Sequence, residues 1–204
     1  MEVYIDSYDV NDSLKRAVNR VEEFRATGRI HLLLYAALDT RLCIERTLFE
    51  YLVLIKSNVL PARLERLYSA TDLKKAILRE EPEFFRKLEF MGLFVKFLPY
   101  DNPVILVPNL DLLSQCYGRA NDYLHCPKRP DETWQNLDWW AGLEESLNKT
   151  IPHLVDIHSG LMGHMNLSPM GEELYSKFVA GELSSDEVMT ELERTFAERP
   201  PVKA

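Results

Sequence analysis

Residues 30 to 56 leave a helix almost no face on which to meet water. Leu, Ile, Ala, Val, Phe and Tyr occur at every helical phase, and no Gly or Pro interrupts the run before Pro61. A helix that is apolar on most of its circumference belongs in the middle of a bundle, with other helices around it. At 1.5 Å per residue it would be about 40 Å long, so its neighbours must be long or several. Its longest uninterrupted apolar run, residues 30 to 38 apart from His31, is too short to span a bilayer. Periodicity selects Leu38, Leu42, Phe49 and Leu52 as the buried stripe. Glu45 falls on that stripe with Arg41 one turn away. A buried carboxylate is costly unless paired, so an Arg41–Glu45 contact is predicted as structural support inside the bundle.

Helical spacing continues through most of the chain. Leu14, Ala17, Val18, Val21 and Phe24 share a face that Asn11 or Asp12 can cap, and Gly28 ends or interrupts this helix. A short helical turn is predicted over 64–67, then helices over 73–80 (capped by Thr71 or Asp72), 83–94 and 110–126 (capped by Asn109). Residues 95–98 and 104–107 read as a small β-hairpin, or as a longer loop given the prolines at both turn edges. Past the Pro-rich stretch 126–131, helices are predicted over 134–148, continuing to 158 with a kink or break at Pro152. Two more follow, one from 168 to 180 and one opened by the capping box Ser184-Ser-Asp-Glu187. The fold class is therefore all-α. The reading divides the chain into a bundle over 1–126 and a C-terminal helical extension over 127–204 packed on it.

Charge narrows the function classes. With 24 Lys and Arg against 32 Asp and Glu, the net charge is −8. Bulk attraction to nucleic acid is therefore not expected, and any RNA site has to be a local basic cleft. Cys43, Cys116 and Cys126 are an odd set without paired spacing, which fits reduced thiols in the cytoplasm. The first six residues lack the basic-then-apolar order of a secretory leader.

The chemistry-bearing segment is 111–125, a helical stretch whose end carries Arg119, Asn121, Asp122 and His125. Histidine moves a proton near neutral pH, and arginine can hold the charge that builds on a phosphorus under attack. Arg119, Asp122 and His125 recur at i, i+3, i+6, so Asp122 can pair with Arg119 or orient the histidine. The plain alternative is a surface ion pair with His125 as a favourable charge at the helix C-terminus. Lys128 and Arg129 follow closely and, with Lys149, are the obvious positive feature near His125, one that could guide a phosphate into the cleft. His153, His158 and His164 lack metal-ligand spacing, so no metal is predicted. Phosphate loops and nucleophile elbows are missing from the sequence. Trp134, Trp139 and Trp140 read as packing between helices.

Arg-x5-His at the end of a helix in an all-helical chain resembles the signature of the HEPN superfamily (higher eukaryotes and prokaryotes nucleotide-binding domain). Residues 35 to 46, with Arg41 and Glu45 one turn apart, resemble the long second helix of such domains; the likeness covers roughly residues 8 to 126. It implies an up-and-down bundle that dimerises. It further implies metal-independent endoribonuclease activity of the toxin or phage-defence kind, with histidine and arginine from two subunits meeting in a cleft to activate the ribose 2′-OH. His125 would then be the general base or acid and Arg119 would bind the phosphate, with Asn121 and Asp122 beside them. The implied partners are a second copy, RNA, and an antitoxin or other protein, with no cofactor. The chain departs from many active members at Ala120, where they carry a polar residue. Silent members serve as dimerisation or nucleotide-binding modules, which is the alternative function.

Overall fold

A computed structural model describes residues 10–56, 60–95, 105–125, 135–159, 161–162 and 169–197. The described residues form α1 (Val10–Thr27), α2 (Ile30–Ile55), α3 (Ala62–Glu65), α4 (Ala70–Glu80), α5 (Phe84–Val95), β1 (Ile105–Leu106), α6 (Leu110–Leu124), α7 (Leu137–Ser159), β2 (Leu161–Met162), α8 (Pro169–Val179) and α9 (Ser185–Ala197). The architecture is all-α. Among the described residues the one strand pairing is a parallel contact of two residues, Ile105 with Leu161 and Leu106 with Met162, beside the start of α6 and the end of α7. The hairpin partner suggested by sequence, 95–98, lies largely outside the described residues.

Local signals set the helix ends. Gly28, with φ at +68°, turns the chain between α1 and α2 in a conformation that L side chains rarely adopt. The Asn109 side chain accepts from the Leu112 amide at 3.0 Å and so starts α6. Ser184 and Glu187 form the reciprocal capping box of α9, with bonds of 3.3 and 2.8 Å. The cap of α4 is Ser69, two residues before Thr71 and three before Asp72. Its hydroxyl accepts from the Asp72 amide at 3.1 Å and donates to the Asp72 carboxylate at 2.8 Å.

α2 is the central helix, touching α1, α4, α6 and α7. Its C-terminal half (Cys43, Ile44, Leu48, Leu52) packs with Leu73 and Ile77 of α4 and Leu110 and Leu113 of α6. Its N-terminal half (Leu33, Ala36, Ala37) packs with Ala17 and Val21 of α1, Ala120 of α6, and Trp140, Leu143 and Leu147 of α7. α7 is thus part of the same core as α1 and α2, and it runs unbroken through Pro152, which lies inside the helix. A separate cluster joins Phe90 of α5 to Leu174, Phe178, Val188 and Leu192 of α8 and α9. The Arg86 guanidinium lies over the Phe178 ring there, 4.4 Å from its centroid.

The stripe selected by periodicity on α2 is only partly the buried one. Leu52 is fully buried and Phe49 packs partly buried against the core, but Leu42 is half-exposed and Leu38 is 40% exposed. Apolar residues on every face made the stripe ambiguous, and small residues decided it. Ala36, Ala37, Thr40, Cys43 and Thr47 let neighbouring helices approach closely, so their side became the inside.

Asp39 is the buried charge of α2, with a side chain 9% exposed. It receives Arg16 Nη2 at 3.5 Å and Arg20 Nη1, both from α1. Arg20 also donates to the Tyr35 carbonyl at 3.1 Å and lies over the Tyr35 ring. Removing Asp39 would leave two arginines held against α2 without their counter-ion.

In urea unfolding, Leu48→Ala should cost about 2–5 kcal/mol because the site is sealed on all sides. Leu38→Ala should cost less than about 1 kcal/mol. Asp39→Ala should fall between the two, at about 2–3 kcal/mol. Equal losses at Leu38 and Leu48 would contradict the assigned inner face.

Candidate functional site

α6 is positioned by two neighbours with different chemistry. Toward α2, Tyr117 meets Arg41, whose guanidinium lies 5.2 Å from the ring centroid with Nη2 3.5 Å from the hydroxyl. Arg41 Nε is 3.4 Å from Glu45 Oε1, and both side chains are largely covered. The pair predicted from sequence is formed, and through Tyr117 it also holds α6. Toward α7, the Tyr123 hydroxyl donates to the Trp139 carbonyl, and the two rings are 4.4 Å apart. Arg119 Nη1 donates to the Gly142 carbonyl at 3.0 Å. Gly142 permits this approach, since a Cβ there would meet Arg119 Nη1 at 3.2 Å and the Tyr123 oxygen at 3.3 Å.

Between α6 and α7 lies a groove of about 460 Å³ lined by Leu112, Gln115, Cys116, Arg119, Asp122, Glu145, Ser146 and Lys149. Arg119 and Asp122 are exposed along it. Lys149 Nζ lies 2.6 Å from Glu145 Oε1, and that lysine holds the Glu145 carboxyl below its usual range. Two cations and two anions thus share the groove, giving it donors without a strong net field. The Cys116 thiol is held above its ordinary range, chiefly by burial, so at neutral pH it is a thiol and not a nucleophilic thiolate.

The sequence-predicted residues are distributed unevenly. Arg119 and Asp122 come together in the groove. Asn121 is half-buried, and its amide oxygen is enclosed without a partner among the described residues. His125 is exposed at the C-terminal cap of α6, its amide bonded to the Asn121 carbonyl at 3.0 Å, and it is not among the groove-lining residues. Lys128 and Arg129 lie outside the described residues. It is the Gly142 carbonyl, on another helix, that takes Arg119. Spacing within one segment could not have shown that contact. Lys149, the positive residue read with Lys128 and Arg129, is brought to Arg119 by the α6–α7 packing, while Gln115 entered the site unpredicted, one turn before Arg119 on α6 itself.

Two histidines outside the site hold helices together. His158 Nε2 is 2.7 Å from the Thr47 hydroxyl, which itself donates to the Cys43 carbonyl at 2.8 Å. His153 Nε2 accepts from the Asn109 amide at 2.9 Å, tying α7 to the cap of α6. Accepting there requires a deprotonated Nε2, and burial pushes the His153 pKa below its ordinary value against the pull of Asp156.

No family model, curated protein or solved structure matches the chain.

His153 gives a pH prediction with a definite sign. The unfolded chain binds a proton near the ordinary histidine value of about 6.5, whereas the folded chain does so only at lower pH. The His153 contribution is therefore intact above that value and declines as pH falls toward the folded pKa. Urea midpoints measured from pH 7.5 to 5 should fall more steeply for wild type than for His153→Gln. Parallel curves would remove His153 from the account. At neutral pH, Glu45→Ala should lower stability by about 1–2 kcal/mol by stranding Arg41, and Asp12→Ala, which breaks only the exposed 3.7 Å pair with Lys15, by less than about 0.5 kcal/mol.

Proposed function

We propose that the chain is a HEPN-like helical module that cleaves RNA without metal, its reactive groups supplied by two copies. The observation that carries this reading is the placement of Arg119, Asp122 and His125. All three are exposed at the end of a helix braced by α2 and α7, and none fills the core. Cleavage needs a proton carrier at the 2′-OH and a cation on the phosphate oxygens, both within hydrogen-bond reach of one phosphate. By helical spacing His125 is about 120° round from Arg119 and about 9 Å further along α6. Arg119 faces the α7 groove, so an arginine from one copy and a histidine from the other form the more direct pair. In the reaction His125 removes the 2′-OH proton, the 2′ oxygen bonds to phosphorus as the P–O5′ bond breaks, the leaving 5′ oxygen takes a proton from water, and His125 returns its proton to solvent. The products are a 2′,3′-cyclic phosphate and a 5′-OH end.

A second reading, a non-catalytic nucleotide-binding module, is favoured by the groove itself. Arg119, Gln115, Ser146 and Lys149 present donors there, and Arg119 already has a carbonyl partner. In that case nucleotide binding weakens in Arg119→Ala and Lys149→Ala while no RNA is cut.

Purified protein should cleave single-stranded RNA in EDTA and spare DNA, which lacks the 2′-OH. His125→Ala and Arg119→Ala should each lower the rate ~10²-fold or more. Mixing the two inactive variants should restore part of the activity, because a mixed dimer keeps one site with both groups intact. Absence of restoration would place both groups in one chain. Equal residual activity of wild type and His125→Ala on several RNAs would end the enzyme reading.

A further inference from the structure

Between residues 56 and 80 the chain carries six Lys and Arg against three Asp and Glu, the reverse of its overall charge of −8. The fold gathers much of this surplus at one corner. Lys56 closes α2, Arg63 lies in α3, and Arg79 lies beside Glu80 at the end of α4. All three cations converge on the Glu80 carboxylate. Lys56 Nζ stands 3.0 Å from Oε2, while Arg79 Nη2 and Arg63 Nη2 stand 3.2 and 3.7 Å from Oε1. The Glu80 side chain is 16% exposed against 68% for Arg63 and 55% for Arg79, so the two arginines form the outer layer.

This cluster is flanked by more of the same charge. Arg66 follows Arg63 by three residues, and Lys75 precedes Arg79 by one turn. Both are exposed, and neither makes a hydrogen bond or ion pair among the described residues. Like charges at these spacings repel. Some of the surplus serves the fold, since the carbonyl ends of α2 and α4 each act as roughly half a negative charge. Setting those ends, Glu80 and the exposed Glu65 against the five cations still leaves about two positive charges.

We propose that this corner binds a phosphate monoester as its dianion. Such a group carries close to two negative charges near neutral pH and presents three acceptor oxygens. A phosphodiester, with one charge, leaves half of the surplus in place. Arg63 is the residue placed to receive the ligand. Its ion pair with Glu80 is the longest of the three, it makes no hydrogen bond among the described residues, and a guanidinium fork matches two phosphate oxygens at once. Lys56 and Arg79 both hydrogen bond to Glu80, so the carboxylate keeps its partners when Arg63 engages the phosphate. The corner is distinct from the α6–α7 groove. α4 meets α6 at its first turn, where Lys74 Nζ lies 2.8 Å from Asp111 Oδ1, whereas Arg119 and His125 lie toward the other end.

Titration calorimetry at low ionic strength, where surface charges are least screened, should show saturable binding of ribose 5-phosphate at pH 7.5. Dimethyl phosphate, a diester monoanion, should bind at least ~10-fold more weakly. Lowering the pH to 5 should weaken ribose 5-phosphate binding roughly 10-fold, because the ester takes up its second proton near pH 6 while lysine and arginine stay charged. Glu80 stays charged as well, since its hydrogen bond from Lys56 chiefly holds its carboxyl below the usual range. Arg63→Gln should cost at least ~10-fold in affinity with helical content unchanged by circular dichroism, and Arg63→Lys should recover part of the loss. Lys177→Ala, at another exposed ion pair, should change nothing. A 5′-phosphorylated oligonucleotide that outbinds its 5′-hydroxyl twin through Arg63 supports the site and assigns the dianion to RNA ends. Ribose 5-phosphate binding without that gain supports it and assigns the dianion to small phosphate esters. No saturable binding, or equal affinity for ester and diester, overturns the proposal. So does binding that is lost in Arg119→Ala and kept in Arg63→Gln, which would put the phosphate in the α6–α7 groove. A dianion site at this corner in a protein that cuts no RNA supports the corner and counts against the nuclease reading alone.

Discussion

The enclosure of α2 is the constraint from which the rest of the bundle follows. A 26-residue helix with apolar groups on nearly every side is unstable in water by itself and needs several neighbours at once. α1, α4, α6 and α7 meet that need. The inward side is the one where Ala36, Ala37, Thr40, Cys43 and Thr47 allow close approach. Asp39 then fixes how α1 lies on it. One carboxylate drawing two arginines from the neighbouring helix has few other satisfactory positions, and burial raises the penalty for leaving it unpaired. The pair Arg41 and Glu45 does a similar job for α6, starting two residues further on.

Much of the fold was legible because helices are local. Their spacing, the caps at Asn109 and Ser184, and the stop at Gly28 each depend on residues within one or two turns. What failed to show was whatever depended on another helix. Leu38 and Leu42 have the same hydrophobicity as the buried leucines, so only the position of the neighbours could separate them. Asp39 looked like any polar residue in an apolar run until α1 brought Arg16 and Arg20 to it. Likewise, α7 lies beyond a Pro-rich stretch that resembles a boundary, yet Trp140, Leu143 and Leu147 complete the core of α1 and α2. The pairing of Ile105 with Leu161 joins segments more than fifty residues apart, which a local pattern does not encode.

The site divides in the same way. The helical placement of Arg119, Asp122 and His125 on one segment was readable, and so was the Arg41–Glu45 contact, because each involves residues a few positions apart. Apart from the charge of Lys149, the surroundings were not readable. Lys149, Glu145 and Ser146 come from α7, and the groove exists only as the gap between two packed helices. Both cations there have partners, Arg119 in the Gly142 carbonyl and Lys149 in Glu145. An incoming anion must therefore compete with contacts already made, which selects for ligands that offer more than charge.

The missing side chain at Gly142 has a mechanical consequence. Arg119 and Tyr123 of α6 both rest beside the place where a Cβ on this residue would stand, 3.2 and 3.3 Å from it. Two side chains one turn apart thus grip the backbone of a neighbouring helix, with no intervening atoms to absorb a displacement. A slide of α7 along its axis would carry the Gly142 and Trp139 carbonyls with it and would also drag Leu143 and Leu147 of the same helix through the core, so the packing resists it. The far end of α7 is tied by His153 to the amide that begins α6. The two helices are therefore joined at both ends of α6, by His153 at its start and by Arg119 and Tyr123 toward its end.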